Sequence, residues 1–329
     1  MNSAMRQAIS EPPLFQGHDT PAKVLRSRAR DWAARPALRH KRRGLWQTLT
    51  WADYYAQARA FGLALRDLGV ERGEVIAVLA ENRPEWVIAD MGAQAMGMVG
   101  NGVYPTASTD QLHHILTDSA CRVLVVENQE QLDKALAVRD SCPALVRIVV
   151  LDREGLRGLS DPGVLFWNDL LATGDALAAT RASEFEDAID AGRPSDLAFL
   201  VYTSGTTGAP KGAMISNANA VFQMTKAPEY LDAVPGDKLV SFLPLCHIAE
   251  RMASVFNAIA LGLVVHFPEN SGTVAQDLRE VAPRRSLRQF APQQRAQLAT
   301  AVRSIGFQGQ ISQQGAGFVV FEVADRHAR

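Results

Sequence analysis

Between Tyr202 and Gly212 the chain reads YTSGTTGAPKG, a stretch whose residue types suit an anion. Gly205, Gly208 and Gly212 let the backbone enter left-handed turns without a Cβ penalty, so successive N–H groups can converge on one charge. Thr203 follows Tyr202 at its start, Ser204, Thr206 and Thr207 add hydroxyl donors, and Lys211 adds a full positive charge. Such a set reads as a phosphate cradle. It is not the Walker pattern, which runs G-x-x-x-x-G-K-[ST] between a strand and a helix; here Lys211 follows Pro210 and precedes Gly212. The plain alternative is a Gly/Thr surface turn, which the buried strand upstream argues against.

The flanks give the cradle its setting. LAFLVY (197–202) is a short apolar, β-rich run bounded by Pro194 and Gly205, and GAMIS (212–216) is too quickly broken to be a helix. The cradle therefore joins strand to strand. A second stretch that could do chemistry is VSFLPLCHIAERM (240–252): a buried strand ending at Pro244, a loop presenting His247, then a helix from about Ala249. By itself a lone His is more often structural than reactive.

YTSGTTGAPKG is very similar to the phosphate-binding signature of the adenylate-forming superfamily, the acyl-CoA synthetases and their relatives. ENRPEW (81–86), GVYPTAS (102–108), LTDSACRVLVVEN (116–128) and FLPLCHIAER (242–251) resemble the long-chain fatty acid branch in the same order. The resemblance implies an α/β fold, the N-terminal AMP-binding domain with mainly parallel sheets flanked by helices. It also implies an AMP-forming ligase that adenylates a fatty acid with ATP and Mg²⁺ and passes the acyl group to coenzyme A. Residues 203 to 208 and Lys211 would hold the ATP phosphates, and Lys211 would neutralise the leaving pyrophosphate. His247 would line the carboxylate and acyl-adenylate site, with Glu250 and Arg251 bracing the helix around it. Such a transfer is driven mainly by positioning and electrostatic stabilisation.

The resemblance runs through VAQDLREVAP (274–283) and stops. Residues 284–329 hold seven Arg, eight Gln, no Lys and two acidic residues, unlike the chain before them. The family's Y-G-x-T-E segment, its later ribose-binding Asp and its small C-terminal lid domain with a catalytic Lys find no match. The expectation is an incomplete N-terminal domain over 1–283, a non-matching tail over 284–329, and a truncated or frameshifted ligase inactive alone. The strands meant to pair with LAFLVY would then be missing, leaving apolar sheet edges uncovered. The alternatives are a non-catalytic nucleotide- or acyl-binding remnant, and a ligase for short-chain or aryl acids.

Composition sets the outer bounds. The 329 residues are 47% hydrophobic and 21% charged with a formal net charge of -1, which offers nothing to nucleic acid. No apolar stretch reaches the roughly 18 residues of a membrane span, and the N-terminus lacks a signal-peptide core. The reading is a cytoplasmic protein that meets membranes only at the periphery, through its lipid substrate. Cys121, Cys142 and Cys246 have neither disulfide nor metal-site spacing, and no metal ligand set is read anywhere. His113 and His114 read as helix-surface packing, and Met91, Met96 and Met98 as core filler.

Stepwise periodicity places the elements that carry these stretches. A helix is expected over 20–35, a hairpin over 37–50 around a turn that Lys41, Arg42 and Arg43 merely solvate, and a helix from an N-cap at Thr50 through Asp67. Strands over 75–80, 122–127 and 146–152 alternate with helices through Trp86 and Ala93, over 109–118 and over 129–139, as a parallel sheet covered on both faces requires. No G-x-G-x-x-G follows these strands, which weakens a dinucleotide-binding reading. Residues 153–194, including Thr173-Gly174-Asp175, read as helix and polar linker, and Ser216 or Asn217 as the cap of a helix over 218–226.

Overall fold

The computed structural model describes residues 14–203 and 210–283. Along the chain run α1 (Pro21–Asp31), β1 (Pro36–Arg42), β2 (Leu45–Thr50), α2 (Trp51–Asp67), β3 (Val75–Leu79), α3 (Pro84–Ala95), β4 (Val99–Val103), α4 (Thr109–Asp118), β5 (Val123–Val126), α5 (Gln129–Arg139), β6 (Arg147–Val150), β7 (Val164–Phe166), α6 (Trp167–Asp190), β8 (Leu197–Thr203), β9 (Lys211–Ser216), α7 (Asn217–Tyr230) and β10 (Lys238–Val240). Then come α8 (Ile248–Arg251), a π-helical stretch (Met252–Asn257) continuing into α9 (Ala258–Leu261), β11 (Val264–Phe267) and α10 (Val274–Val281).

Seven strands form one sheet in the order β7-β6-β5-β3-β4-β8-β9, parallel except for β9, which returns antiparallel on β8. Its central strands are runs such as VIAVL and VLVV, buried along their whole length because helices cover both faces. Trp86, Val87 and Met91 of α3 pack in the core on one face, with Phe61 of α2 and Phe185 of α6. On the other face Leu112, Ile115 and Leu116 of α4 pack with Leu132, Ala135 and Val138 of α5. A smaller sheet, β10-β11-β1-β2, is parallel up to β1 and closed by the β1–β2 hairpin.

Helix starts follow local chemistry. Thr50 and Asp53 form a reciprocal capping box at α2, Ser108 and Gln111 one at α4, and Ser216 and Asn219 one at α7. Asn217, the other residue read as a cap, donates instead to the Arg193 carbonyl at 2.9 Å.

Several expectations need correction. VGNGV is a strand that the expected set lacks, because two glycines and an asparagine carry little β propensity; it is the fully buried partner of both β3 and β8. LAFLVY therefore finds neighbours on both sides within the chain, β4 and β9, and is not left as an uncovered edge. Thr173-Gly174-Asp175 lies in the middle of α6 rather than in a linker. A Cβ on Gly174 would sit 1.8 Å from the Ala60 carbonyl oxygen, so this glycine serves the close packing of α6 on α2.

Lys41 is not a solvated turn cation. It is buried, and its Nζ donates to Asp277 at 2.8 Å and to Glu280, tying the hairpin to α10. The turn itself is Arg43-Gly44, both with positive φ, and its two amides donate to the Glu269 carboxylate. The strand read as far as Pro244 ends at Val240. Beyond it the Ser241 N–H still donates to the His266 carbonyl of β11 at 2.9 Å, and the Asn82 side chain then holds the backbone at Leu243 and Leu245.

Candidate active site

The two stretches singled out for chemistry belong to neighbouring parallel strands, β8 leading into the cradle and β4 packing against the His247 stretch. β4 and β8 pair with Gly102 opposite Val201, so the strand leading into the cradle runs beside the glycine strand. After β3 the chain turns to the α3 face, and after β4 to the α4 face. Strand ends that diverge in this way leave a crevice where doubly wound sheets bind ligands.

The His247 stretch is seated at that crevice. A Cβ on Gly102 would lie 2.7 Å from the Cys246 Cα and 2.9 Å from its Cβ, so only glycine lets this backbone approach. Asn82, just past β3, holds the same stretch with its whole amide. Its Nδ2 donates to the Leu243 carbonyl at 2.6 Å and the Ser241 hydroxyl at 3.0 Å, and its Oδ1 accepts from the Leu245 N–H at 2.9 Å. Cys246 is buried, and burial pushes its thiol up to about 12, so it sits there as a small apolar group and not as a nucleophile.

His247 is exposed and serves as the N-cap of α8. Its Nδ1 accepts from the Ala249 N–H at 3.2 Å, which leaves the proton of the neutral ring on Nε2. Desolvation holds its pKa below the ordinary imidazole value, and protonating Nδ1 would also cost the cap. A neutral donor at Nε2 suits a carboxylate oxygen or an acyl phosphate.

Behind His247, α8 is anchored from within. Arg251 is fully buried and forms a double contact with Asp90 of α3, its Nε donating at 3.0 Å and its Nη2 closing the pair. The guanidinium lies 4.0 Å from the Phe199 ring centroid and 5.1 Å from that of Trp86. A Cβ on Gly100 would sit 2.2 Å from Asp90 Oδ1, so both glycines of β4 make room for what holds His247. Glu250 is also buried, accepts from the Ser254 hydroxyl, and is pushed by burial up to about 7.

Of the cradle, the ends lie among the described residues. Thr203 and Lys211 are cross-strand partners at the tip of β8 and β9, and Lys211 is exposed. Ser204, Gly205, Thr206, Thr207 and Gly208 lie outside the described residues, as does the tail over 284–329. The expectation for His114 changes. Its Nε2 lies 2.8 Å from the Pro210 carbonyl oxygen, so it touches the far end of the cradle as well as packing on its helix. Asn82, Asp90, Gly100 and His114 were all missed as functional candidates. A polar residue directly after a buried strand, and glycines within one, were the signals that could have found the first and third.

A cleft of about 780 Å³ opens nearby, past the ends of β3, β6 and β11, but neither His247 nor Lys211 lines it. Its central cation, Arg83, is already engaged with Asp152, Glu85 and Glu127. Burial pushes the Glu85 carboxyl up, yet Arg83 beside it outweighs this and holds it below the usual range. Among the described residues no group of His, Cys, Asp and Glu is arranged to hold a metal.

A doubly wound, mainly parallel sheet flanked by helices, with a capped histidine in the loop seated against β4, marks the chain as an α/β domain. The chain belongs to the AMP-binding enzyme family, whose model matches residues 25–285. It is 30% identical over 276 residues to the long-chain-fatty-acid–CoA ligase ACSBG2 of Homo sapiens, covering 81% of this chain and 40% of that protein. To ACSBG1 of Bos taurus it is 34% identical over 254 residues, covering 75% and 34%. The chain thus spans about two fifths or less of the curated relatives it matches. Among solved structures, the anthranilate–CoA ligase AuaEII in complex with anthranoyl-AMP superposes with a TM-score of 0.68 at 23% identity, over 81% of this chain and 48% of that one. A fatty acyl-adenylate ligase from L. pneumophila in complex with acyl adenylate and pyrophosphate gives 0.63 at 19% identity, over 81% and 42%. These last two likenesses concern the fold.

Proposed function

We infer that this chain carries the phosphate and carboxylate subsites of a long-chain fatty acid–CoA ligase, which adenylates its acid with MgATP before transfer to coenzyme A. The observation that carries the reading is the seating of His247 beside β4 by Gly102 and Asn82, next to the strand that opens the cradle. In this reading residues 203–208 and Lys211 face the β- and γ-phosphates, and Lys211 compensates charge on pyrophosphate as it leaves. His247, with Nε2 protonated, orients the acyl carboxylate for in-line attack on the α-phosphorus. Mg²⁺ arriving with the nucleotide would supply charge neutralisation, and no ligand group for it stands among the described residues. In this reading 1–283 is an incomplete N-terminal AMP-binding domain.

The long-chain assignment is supported by relatives named as long-chain-fatty-acid–CoA ligases at 30–34% identity. Each buried methylene of an acyl chain contributes about 0.8 kcal/mol, so a long acid should outbind acetate by orders of magnitude. No helix among the described residues is long and apolar enough to cross a membrane. With its three cysteines buried and free, a cytoplasmic setting with peripheral membrane contact fits.

Titration calorimetry of the full chain with MgATP, palmitate and acetate tests the reading. Lys211→Ala should weaken MgATP at least tenfold, the loss of one charge-assisted contact of about 1.5–3 kcal/mol, and leave palmitate affinity unchanged. Unaltered MgATP affinity in that variant would remove Lys211 from the phosphate site. Equal affinity for acetate and palmitate would turn the reading to short-chain or aryl acids.

A further inference from the structure

Both ends of the cradle are tied to a single helix. On the near side, the Tyr202 hydroxyl donates to Asp118 Oδ2 at 2.6 Å. On the far side, His114 Nε2 meets the Pro210 carbonyl at 2.8 Å, which requires the ring to donate from that nitrogen. His114 and Asp118 stand four residues apart on α4, one above the other on one face. The two contacts therefore span the strand-to-strand turn from one rigid support.

That support is well fixed. The Ser108–Gln111 capping box starts α4, and Leu112, Ile115 and Leu116 bury its inner face against the sheet. Tyr202 is itself locked: it is buried, and its ring lies across its cross-strand partner Gly212, where a Cβ would come within 3.0 Å of the ring. A side chain at 212 would therefore press on the Tyr202 ring.

We propose that His114 and Asp118 form a clamp on α4 that sets the separation and tilt of the cradle's two ends, making His114 a positioning residue for the nucleotide phosphates. It touches no phosphate. It acts through the Pro210 carbonyl, one residue before Lys211, so its loss frees the Lys211 end of the cradle from α4. The proposal rests on 203–211 being the phosphate site.

The test compares His114→Ala with His114→Gln, whose side-chain amide can place a donor near the position of Nε2. In the full chain, His114→Ala should weaken MgATP roughly fivefold, on the scale of one hydrogen bond, with the thermal midpoint within a degree or two of wild type. His114→Gln should recover affinity to within about twofold of wild type. Hydrogen exchange of peptides covering 203–211 should quicken in the Ala variant and return in the Gln variant, with exchange elsewhere unchanged. Equal MgATP affinity and equal exchange in all three proteins would overturn the clamp, as would a Gln variant no better than Ala. If wild type binds no MgATP, the phosphate reading fails, and the exchange comparison still decides the clamp.

Discussion

The two arms of the candidate site are built in opposite ways. The His247 arm is held from beneath by buried polar groups: Asn82 takes three hydrogen bonds, Arg251 and Asp90 form an ion pair sealed from water, and two glycines of β4 admit the backbone. The cradle arm lies on β9, which among the described residues is the outermost strand of its sheet and pairs with β8 alone; Ile215 is buried, Lys211 and Met214 are exposed, and His114 and Asp118 of α4 contact the cradle's two ends. One arm is fixed before any ligand arrives, while the other carries its charge on a sheet edge. That difference would suit the proposed reaction, in which the acid carboxylate is oriented while the polyphosphate enters and leaves. It also says where substitutions should hurt stability and where they should not.

The largest effect should come from the root of the fixed arm. Arg251→Met leaves the Asp90 carboxylate buried without its partner, a change that costs about 3–5 kcal/mol when an internal pair is broken. Chemical denaturation should show that loss as a lower midpoint, and adding Asp90→Asn should recover a good part of it. A loss under about 1 kcal/mol would mean that the pair does not hold α8, and the contrast between the arms would collapse.

A second effect on the same arm depends on pH. Glu250 has a folded-state value of about 7 against an ordinary 4.5, because burial disfavours its charge. Its folded form binds the proton more tightly than the unfolded form, so its contribution is complete below 4.5 and is lost as pH rises towards 7 and beyond. The shift corresponds to about 3 kcal/mol. Glu250→Gln keeps the acceptor for Ser254 and has nothing to titrate. Its stability relative to wild type should therefore improve by about that amount between pH 4.5 and pH 8, with other groups cancelling in the difference. A relative stability that stays constant with pH would show that Glu250 ionises in the folded protein as it does in the unfolded one.

What the sequence disclosed and what it hid divide along the same line. The strands VIAVL and VLVV, the helices over 109–118 and 129–139, and the Thr50 cap were legible because burial on both faces, apolar spacing and capping each leave a local mark. The strand VGNGV left none, since its glycines answer to Asp90, Arg251 and Cys246, residues that lie up to some 150 positions away. Lys41 looked like a turn cation because its partners Asp277 and Glu280 come from the far end of the described chain. Motif resemblance marked His247 and the cradle. The groups that hold them, Asn82, His114 and Asp118, needed coordinates, because a hydrogen bond between remote segments has no period in sequence.

The smallest expected effect lies on the open arm. Met214 is 73% exposed on β9, and its strand pairs with β8 alone among the described residues. A side chain that buries so little area adds little to folding, so Met214→Lys should change stability by no more than about 0.5 kcal/mol. Its consequence should appear between molecules. An exposed apolar residue on an unpaired strand edge invites a second strand, and a lysine there makes such pairing costly. Light scattering against concentration should show less self-association for Met214→Lys at an unchanged denaturation midpoint. A stability loss above about 1.5 kcal/mol would instead show that Met214 packs against part of the chain, and that the cradle arm is covered in solution rather than open.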